Sequence, residues 1–388
     1  MLEGKRVREF TDGSTAIVRG ALDAGCSFFA GYPIAPASPI LMMMMRELPT
    51  RRGVAMQGED EIASIGMCIG AAMTGAKAMT ATSGPGISLY SENVGLAIMG
   101  EVPLVIVDVQ RMGPATGAAT TAGQGDVQFV RWGTGGGYPI IALAPSSIRE
   151  CYYLTIKAFE LAARFRCPVF LVSDKELNMT SNTVEVSAFD MGAERGVPHS
   201  SNGAPASGMH DAPSVNPGPP YRYDPADGVP PLQRYGEEQV VRFTGSTHNE
   251  QAFITKDPLT VGGLNRHLAA KIDEHRDEIE LVTADLESDS QTLFVSFGVS
   301  AGAMREAVHR ARREGQKVSA LTVHSLWPVP ETALGVAMRG VTRVIVAELN
   351  LGQYRREIER IAGGRDVVGI NRVDGDLISP EQYLEVLA

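Results

Sequence analysis

VPLVIVD, residues 102–108, is a nearly continuous apolar run of strand length. Comparable runs occur at residues 77–81, 140–143 and 168–172, and helix-like stretches with apolar residues at helical spacing separate them, as at residues 146–166. Strands that are apolar along their whole length are typical of parallel sheets whose two faces are both buried. The first part of the chain is therefore predicted to be an α/β domain, with helices on both faces of a parallel sheet.

The domain organisation follows from where this alternation stops and resumes. Residues 186–236 are rich in Gly, Pro, Ser and Asn, which is typical of a connecting loop. Beyond them a second strand–helix alternation begins. We therefore predict three parts: a domain of residues 1–185, a connecting segment of residues 186–287, and a smaller α/β domain of residues 288–388.

Three local features are also predicted from the pattern. Residues 264–276 have the spacing of a helix, and residues 240–243 have the composition of a short strand. Ser14 is expected to cap the first helix, because serine is a favoured residue immediately before a helical run.

Composition and charge exclude several classes of protein. The 388 residues are 44% apolar and 21% charged, with a net charge of −10 at pH 7. Surfaces for nucleic acid or anionic membranes need clustered Lys and Arg, so neither partner is expected. No apolar run reaches the roughly 20 residues of a membrane helix, and the charged N-terminus lacks the apolar core of a secretory signal. We therefore expect a cytoplasmic protein.

The cysteines predict no metal site in this chain. Cys26, Cys68, Cys151 and Cys167 are scattered and form no CxxC pair. We interpret them as buried, reduced thiols that pack as small apolar residues. If the reaction needs an iron–sulfur cluster, another chain has to supply it.

A proline-containing loop, Gly31-Tyr32-Pro33-Ile34-Ala35-Pro36, follows a predicted strand at residues 27–30. Ligands of open parallel sheets bind beyond the carboxyl ends of the strands. The two prolines fix φ and remove two amide donors, so the loop is stiff and would position Tyr32 and Ala35. The alternative is a rigid strand-to-helix turn in which Pro36 opens the helix.

An acidic triplet, Glu59-Asp60-Glu61, begins an apolar helix. The helix macrodipole by itself favours acidic residues at this position. Glu61, however, precedes a face rich in Ala, Gly and Ile. A carboxyl in apolar surroundings can stay protonated or share a proton with a bound base, so Glu61 is a candidate catalytic residue.

Two further candidate segments follow predicted strands. In the stretch TSGPG at residues 82–86, the glycines permit close approach of a ligand, and the lack of a P-loop lysine argues against nucleotide phosphate. At residues 108–111 the sequence DVQR places Arg111 at the same sheet edge. There the arginine can bind a carboxylate with two parallel hydrogen bonds, or form a salt bridge with a local Asp or Glu.

These segments resemble those of the alpha subunits of 2-oxoacid:ferredoxin oxidoreductases, most closely the 2-oxoglutarate branch. The family's YPITP, GEDEIA, SGPG and VQRMG motifs match residues 31–36, 58–63, 83–86 and 109–113, and its LWP and EMNLGQ motifs match residues 326–328 and 348–353. The segment at residues 244–257 also resembles the part of the family that joins the two domains. The resemblance covers nearly the whole chain, and only residues 204–219 look unusual.

The resemblance implies a thiamine-diphosphate-binding fold of the pyrimidine type, followed by a transketolase C-terminal-like α/β domain. It also implies an alpha subunit that oxidatively decarboxylates a 2-oxoacid to acyl-coenzyme A and passes electrons to an iron–sulfur cluster and a ferredoxin-like acceptor. The family's GDG-type metal motif is not found here, and Asp374-Gly375-Asp376 has the wrong order. Mg²⁺, the diphosphate ligands and the cluster are therefore expected on a beta subunit, in an α2β2 heterotetramer that is active only when assembled.

The resemblance also implies roles for individual residues. Glu61 matches the family's catalytic glutamate, which hydrogen-bonds ring nitrogen N1′ of the cofactor's aminopyrimidine. Arg111 matches the carboxylate-binding arginine and would orient the substrate. The residues expected to line the cofactor are Tyr32, Pro33, Ile34, Ala35, Ser83 and Gly84, and those expected beside the substrate are Ala35, Gln110 and Arg111.

One departure from the family concerns the substrate. Ala35 stands where the family motif has threonine, which removes a hydroxyl and makes the pocket slightly larger and less polar. The substrate is therefore expected to be 2-oxoglutarate or a bulkier 2-oxoacid. Two alternatives remain open from the sequence: a subunit of a non-oxidative thiamine-diphosphate decarboxylase or transferase, and a catalytically silent paralogue that serves as a scaffold.

Overall fold

The computed structural model describes residues 8–185, 218–223 and 228–387. Most of the Gly- and Pro-rich loop predicted at residues 186–236 lies outside the described residues.

The described chain contains strands and helices in near-regular alternation. The strands are β1 (Arg8–Thr11), β2 (Phe28–Gly31), β3 (Val54–Gln57), β4 (Ala78–Thr82), β5 (Leu104–Gln110), β6 (Ile141–Leu143), β7 (Pro168–Asp174), β8 (Asn182–Glu185), β9 (Val282–Asp285), β10 (Thr292–Ser296), β11 (Val318–Val323), β12 (Ser325–Trp327), β13 (Arg343–Glu348) and β14 (Asp366–Asn371). The helices are α1 (Gly13–Asp23), α2 (Ser38–Glu47), α3 (Glu61–Met73), α4 (Pro85–Leu89), α5 (Ser91–Met99), α6 (Val127–Trp132), α7 (Ile148–Phe165), α8 (Lys175–Met179), α9 (Pro258–Asp273), α10 (Arg276–Ile279), α11 (Ser300–Arg313), α12 (Glu331–Ala337), α13 (Arg355–Ile361) and α14 (Pro380–Leu387), with a short 3-10 helix at Leu48–Arg51.

A seven-stranded sheet in the order β12-β6-β7-β5-β4-β2-β3 forms the first domain. Neighbouring strands from β6 to β3 are parallel, and β12 alone pairs antiparallel, with β6. The central strand β5 is apolar except at its end, and all seven of its residues are buried. The α/β fold with helices on both faces is therefore confirmed.

The two faces of this sheet bury different partners. One face packs against α1, α2 and α7, through residues such as Ile17, Met44 and Phe159. The other packs against α3 and α5, and its core continues without interruption into the second sheet, through residues such as Val323 and Tyr354. The first sheet is therefore packed on both faces, and on one of them its core is continuous with that of the second sheet.

The second sheet has the order β14-β13-β10-β11-β9, parallel except for β9. Its outer face is covered by α11 and α14. The second α/β domain is thus confirmed, but its strand β12 belongs to the first sheet, which the sequence pattern did not predict. The position of the domain boundaries stays a prediction.

Two local predictions are wrong. Residues 240–243 form no strand: Val240 is 93% exposed, and the Phe243 ring packs against Gly100, so the apolar residues serve local packing and no strand pairing. The first helix is capped by Asp12, whose carboxylate accepts from the Thr15 amide at 2.8 Å, while the Ser14 hydroxyl donates to Asn178 O. The helix expected at residues 264–276 is confirmed as α9. No helix in the described ranges is long and apolar enough to span a bilayer.

Candidate active site at the carboxyl edge of the first sheet

The four segments singled out from the sequence all follow parallel strands of the first sheet. They come after β2, β3, β4 and β5, whose carboxyl ends lie along one side of the sheet. We call this side the carboxyl edge, and the opposite side, where these strands begin, the amino edge. The topology therefore brings the predicted site residues to one place, as expected for a ligand site in a parallel sheet.

Glu61 is the first residue of α3 at this edge. The preceding Asp60 caps the helix by accepting a hydrogen bond from the Ala63 amide at 2.7 Å. Asp60 thus satisfies the helix end and leaves Glu61 free for another role. Glu61 is only 6% exposed, and no described residue hydrogen-bonds to its carboxylate.

Gly86 is required beside Glu61. A Cβ atom at Gly86 would lie 1.9 Å from the Thr82 hydroxyl oxygen and 3.1 Å from the Glu61 carboxylate oxygen Oε1. Only glycine lets the backbone after β4 approach this closely. The SGPG segment therefore forms one wall of the space around Glu61.

Arg111 joins two loops at the carboxyl edge. Its Nη1 donates to the carbonyl oxygen of Ala35 at 2.5 Å, and its Nη2 donates to the carbonyl oxygen of Thr116 at 3.1 Å. Within the described residues it forms no salt bridge, so the alternative of a local ion pair is not observed. Arg111 is 5% exposed and packs against the proline-containing loop.

The other predicted residues have different surroundings. Tyr32 and Pro33 are exposed, while Ile34 packs against the core beneath α1 and α2. Ser83 is fully buried, and Gly84 has a φ of 33°. Gln110 points into the protein: its Nε2 donates to Asp174 at 3.5 Å, and its Oε1 accepts from the Asp126 amide at 3.2 Å. Contact of Gln110 with a substrate stays a prediction.

Two carboxyls at this edge, the buried Asp108 and the half-buried Asp126, were missed by the sequence analysis as functional residues. Asp108, on β5, is fully buried and neither of its oxygens is hydrogen-bonded to a described residue, although Asp126 and the Gly84 amide lie nearby. Burial and the facing Asp126 raise the pKa of Asp108 well above its usual range. Burial also raises the pKa of Asp126, to about 6, although Arg111 favours its ionised form. The only feature of the sequence that pointed to such a residue was Asp108, at the end of the predicted apolar strand of residues 102–108.

The second domain holds the loop that contains Asp126. Asn350 donates from Nδ2 to Gln124 O at 2.7 Å, and Gln353 donates from Nε2 to Gly125 O at 2.7 Å. The turn of residues 348–353 therefore fixes the backbone just before Asp126. The match of residues 348–353 to the EMNLGQ motif did not indicate that they hold the loop before Asp126.

Family comparisons agree with this arrangement. Residues 19–228 match the family model described as "Pyruvate flavodoxin/ferredoxin oxidoreductase, thiamine diP-bdg", and residues 290–383 match "Pyruvate:ferredoxin oxidoreductase core domain II". A split-gene transketolase structure shares the fold, at 13% identity and a TM-score of 0.53 over 97% of this chain and 95% of its own.

Individual relatives cover almost the whole chain. The 2-oxoglutarate synthase subunit KorA of Methanothermobacter thermautotrophicus is 38% identical over 97% of both chains, and the ketoisovalerate oxidoreductase subunit VorB of the same organism is 34% identical over 97% of this chain and 96% of its own. A 2-oxoglutarate:ferredoxin oxidoreductase from Magnetococcus marinus, solved with 2-oxoglutarate, coenzyme A and succinyl-CoA bound, superposes with a TM-score of 0.87 at 29% identity. This chain covers 64% of that longer one, with 98% of its own residues matched.

A buried glutamate beside a glycine wall, an arginine at the same sheet edge and full-length similarity to known subunits lead to one assignment. The chain belongs to the 2-oxoacid:ferredoxin oxidoreductases, thiamine-diphosphate-dependent enzymes of several subunits, and is an alpha-type subunit of the 2-oxoglutarate branch.

Proposed function

We propose that this chain provides the activating half of a thiamine diphosphate site, and that the assembled enzyme oxidatively decarboxylates a 2-oxoacid to acyl-coenzyme A. The observation that carries the proposal is Glu61: a buried carboxylate without a described hydrogen-bonding partner, at the sheet edge that also holds Arg111. Buried polar groups are rarely left unpaired in folded proteins, so Glu61 is best explained by a ligand that completes its hydrogen bonding.

The residues present fit the aminopyrimidine half of thiamine diphosphate. Glu61 would hydrogen-bond ring nitrogen N1′, since its carboxyl is buried and has no described partner. The backbone at Gly84 and Gly86, with the buried hydroxyl of Ser83, leaves a polar wall beside it. Tyr32, Pro33, Ile34 and Ala35 would line the side of the site on the neighbouring loop.

The bound cofactor supplies the electron sink that accepts the electron pair left when CO₂ departs. The residues of this chain would position the substrate and the loop beside it. Arg111, already buried against Ala35, would orient the substrate carboxylate through its remaining N–H groups. Gln110 would act indirectly, by holding the Asp126 backbone in place.

We assign the rest of the site to other chains. The relatives are named as subunits, and the Magnetococcus enzyme binds coenzyme A and succinyl-CoA. A beta subunit would hold Mg²⁺, the diphosphate and an iron–sulfur cluster, deliver electrons to a ferredoxin-like acceptor, and form an α2β2 heterotetramer with this chain. The described residues include no group of three or more His, Cys, Asp or Glu placed to bind a metal.

The substrate is proposed to be 2-oxoglutarate or a bulkier 2-oxoacid. Ala35 supplies no hydroxyl where the family motif has threonine, and its carbonyl is occupied by Arg111. The relatives include both a 2-oxoglutarate synthase subunit and a ketoisovalerate oxidoreductase subunit, so both small dicarboxylic and branched 2-oxoacids occur among them.

The test is turnover by this chain co-purified with the subunit that completes the site. Viologen reduction is measured with 2-oxoglutarate, the branched 2-oxoisovalerate and the bulkier aromatic acid phenylpyruvate, with and without coenzyme A, and CO₂ release is measured in parallel. We expect viologen reduction that depends on thiamine diphosphate and on coenzyme A. CO₂ release without viologen reduction would indicate a non-oxidative decarboxylase, and neither signal would indicate a scaffold. Faster turnover of 2-oxoglutarate than of every bulkier acid would reject the altered-substrate part alone.

A further inference from the structure

A group of unsatisfied polar atoms surrounds Arg111. Six buried side-chain atoms on five residues lack a hydrogen-bonding partner there: Thr82 Oγ1, Ser83 Oγ, Asp108 Oδ1 and Oδ2, Arg111 Nε and Asp126 Oδ2. Such atoms are few in folded proteins, so a concentration of them at one sheet edge requires an explanation. The mechanism above uses Arg111 but neither aspartate.

Gly84 lies beside both the Arg111 side chain and the Asp126 carboxylate. The Cβ position of Gly84 lies 3.9 Å from Arg111 Cγ and 4.0 Å from Asp126 Oδ2. Asp108 lies three residues before Arg111 and faces Asp126. Two carboxyls therefore lie close to the Arg111 side chain, at an edge where Asp108 and Arg111 are almost fully buried.

Charge balance limits how these groups ionise. If both carboxyls were ionised, the pocket would hold two adjacent negative charges against one positive charge, which a low-dielectric site strongly disfavours. If the two carboxyls hold one proton between them, the pair carries a single negative charge that balances Arg111. The raised pKa values of Asp108 and Asp126 agree with the second state, in which the pair titrates as a unit.

We propose that Asp126, together with Asp108, is a positioning residue that supplies the nearby negative charge for Arg111 in the free enzyme, without a direct ion pair, and takes up a proton when the substrate carboxylate binds. The incoming carboxylate then becomes the direct anionic partner of Arg111, and the proton that neutralises the two aspartates comes from solvent. This inference rests on the proposed role of Arg111 as the substrate anchor.

The direction of the pH effect follows from linkage. Below the pKa of Asp126, about 6, the pair is already neutral and binding takes up no proton. Above it, binding takes up a proton until the higher pKa of the bound state is passed, so affinity falls by up to about tenfold per pH unit. The other charged groups nearest the pair are Asp174 on β7, whose pKa burial raises to about 7, and Glu61 on α3.

The experiment uses the assembled enzyme carrying Glu61→Gln, which is expected to bind 2-oxoacids without turning them over. 2-Oxoglutarate and 2-oxoisovalerate are titrated by calorimetry near pH 7 in phosphate and in Tris, whose ionisation enthalpies differ, so that the heat difference reports protons exchanged. We expect uptake approaching one proton per site, and we expect it to vanish in Glu61→Gln/Asp126→Asn. Glu59→Gln in the same background is the matched control and should retain uptake, because Glu59 is an exposed carboxylate at the same sheet edge.

A structural role alone would give a different result. In steady state with otherwise wild-type protein, Asp126→Asn should flatten the dependence of KM on pH between about 6 and 8, whereas a mere packing defect would lower kcat or stability and keep the slope. If Asp126→Asn does not fold, Asp108→Asn tests the same pair. Binding without proton uptake in the Asp126-intact protein overturns the inference while wild-type turnover keeps the proposed function. If the assembled enzyme neither binds nor turns over a 2-oxoacid, both the inference on Asp126 and the proposed function are rejected.

Discussion

Both edges of the seven-stranded sheet bury carboxyl groups and arginines, and they differ in how completely those charges are satisfied. At the amino edge, Glu101 Oε2 accepts from Lys271 at 2.8 Å and contacts His267 Nε2 at 3.0 Å, and only its other oxygen, Oε1, lacks a partner. Arg166 donates to three backbone carbonyls, those of Glu101, Pro230 and Pro231. This amino-edge cluster joins the first domain to helix α9.

At the carboxyl edge the donors and acceptors are left partly unused. Glu61 and Asp108 form no hydrogen bond with any described residue. Arg111 donates from two N–H groups to carbonyl oxygens, and its Nε has no partner. Buried charges whose hydrogen bonds are made within the protein stabilise the fold. Buried charges that lack partners lower stability, and a bound ligand can supply the missing hydrogen bonds. The comparison predicts that mutations at the carboxyl edge affect activity, and that mutations at the amino edge affect stability.

The largest effect is expected for Glu61→Gln. The amide keeps the shape but cannot hold or exchange the proton at N1′, so kcat of the assembled enzyme should fall roughly 100- to 10,000-fold. The free energy of unfolding should be nearly unchanged, because no described residue depends on this carboxylate. Viologen reduction and urea denaturation measure the two quantities, with the exposed neighbour change Glu59→Gln as the control. Full activity of Glu61→Gln would exclude Glu61 as the activating group.

For Glu101→Gln we expect lower stability with activity retained, the reverse of the effect of Glu61→Gln. Loss of the carboxylate leaves Lys271 and Arg166 as buried cations without a counter-charge, which should lower the free energy of unfolding by about 3 kcal/mol. Activity per folded molecule should persist. The matched control is Glu278→Gln, which removes a half-exposed ion pair with Arg164 and should cost less than about 1 kcal/mol. Equal effects of the two changes would contradict the special role of the amino-edge cluster.

Acidification should act on the same cluster. Burial opposes ionisation of Glu101, but Lys271 and His267 outweigh it and hold the pKa of Glu101 well below its ordinary value of 4.5. A lowered carboxyl pKa contributes stability that is present above the unfolded-state value and is lost as pH falls below it. Urea midpoints measured between about pH 6 and pH 3 should therefore fall more steeply for wild-type protein than for Glu101→Gln. Parallel slopes would show that another group governs acid stability.

The smallest effect concerns Ala35→Thr. Restoring the family hydroxyl adds a hydrogen bond worth about 0.5–1.5 kcal/mol, which corresponds to a shift of roughly 2- to 10-fold in the ratio of kcat/KM for 2-oxoglutarate over 2-oxoisovalerate. Ala35→Val has the shape of threonine without the hydroxyl and separates polarity from size. If valine and threonine shift the preference equally, the pocket volume decides and the hydroxyl does not.

The sequence predicted the carboxyl edge better than the amino edge for a physical reason. Glu61 and Arg111 lie directly after strands, and the carboxyl ends of parallel strands must converge, so local pattern sufficed to place them together. Glu101 and Lys271 are 170 residues apart and meet only through the docking of α9, which no local pattern encodes. The strand β12 was missed for the same reason, since Ser325 and Trp327 pair with a strand from the other domain.

The placement of Asp126 at this edge was equally hidden, because it depends on a turn of the second domain that holds the loop before it. A resemblance of motifs showed that residues 348–353 belong to the family. It could not show what they touch.

The antiparallel pairing of β12 with β6 has a consequence for how the chain can be made or shortened. During synthesis the first sheet keeps an open edge at Ile141–Leu143 until Trp327 has left the ribosome, although the strands around it were translated long before. Open strand edges are sites of misassembly between chains. A gene fragment that encodes only the first domain would therefore yield a product prone to edge-to-edge aggregation, and the two halves are better expressed as one piece.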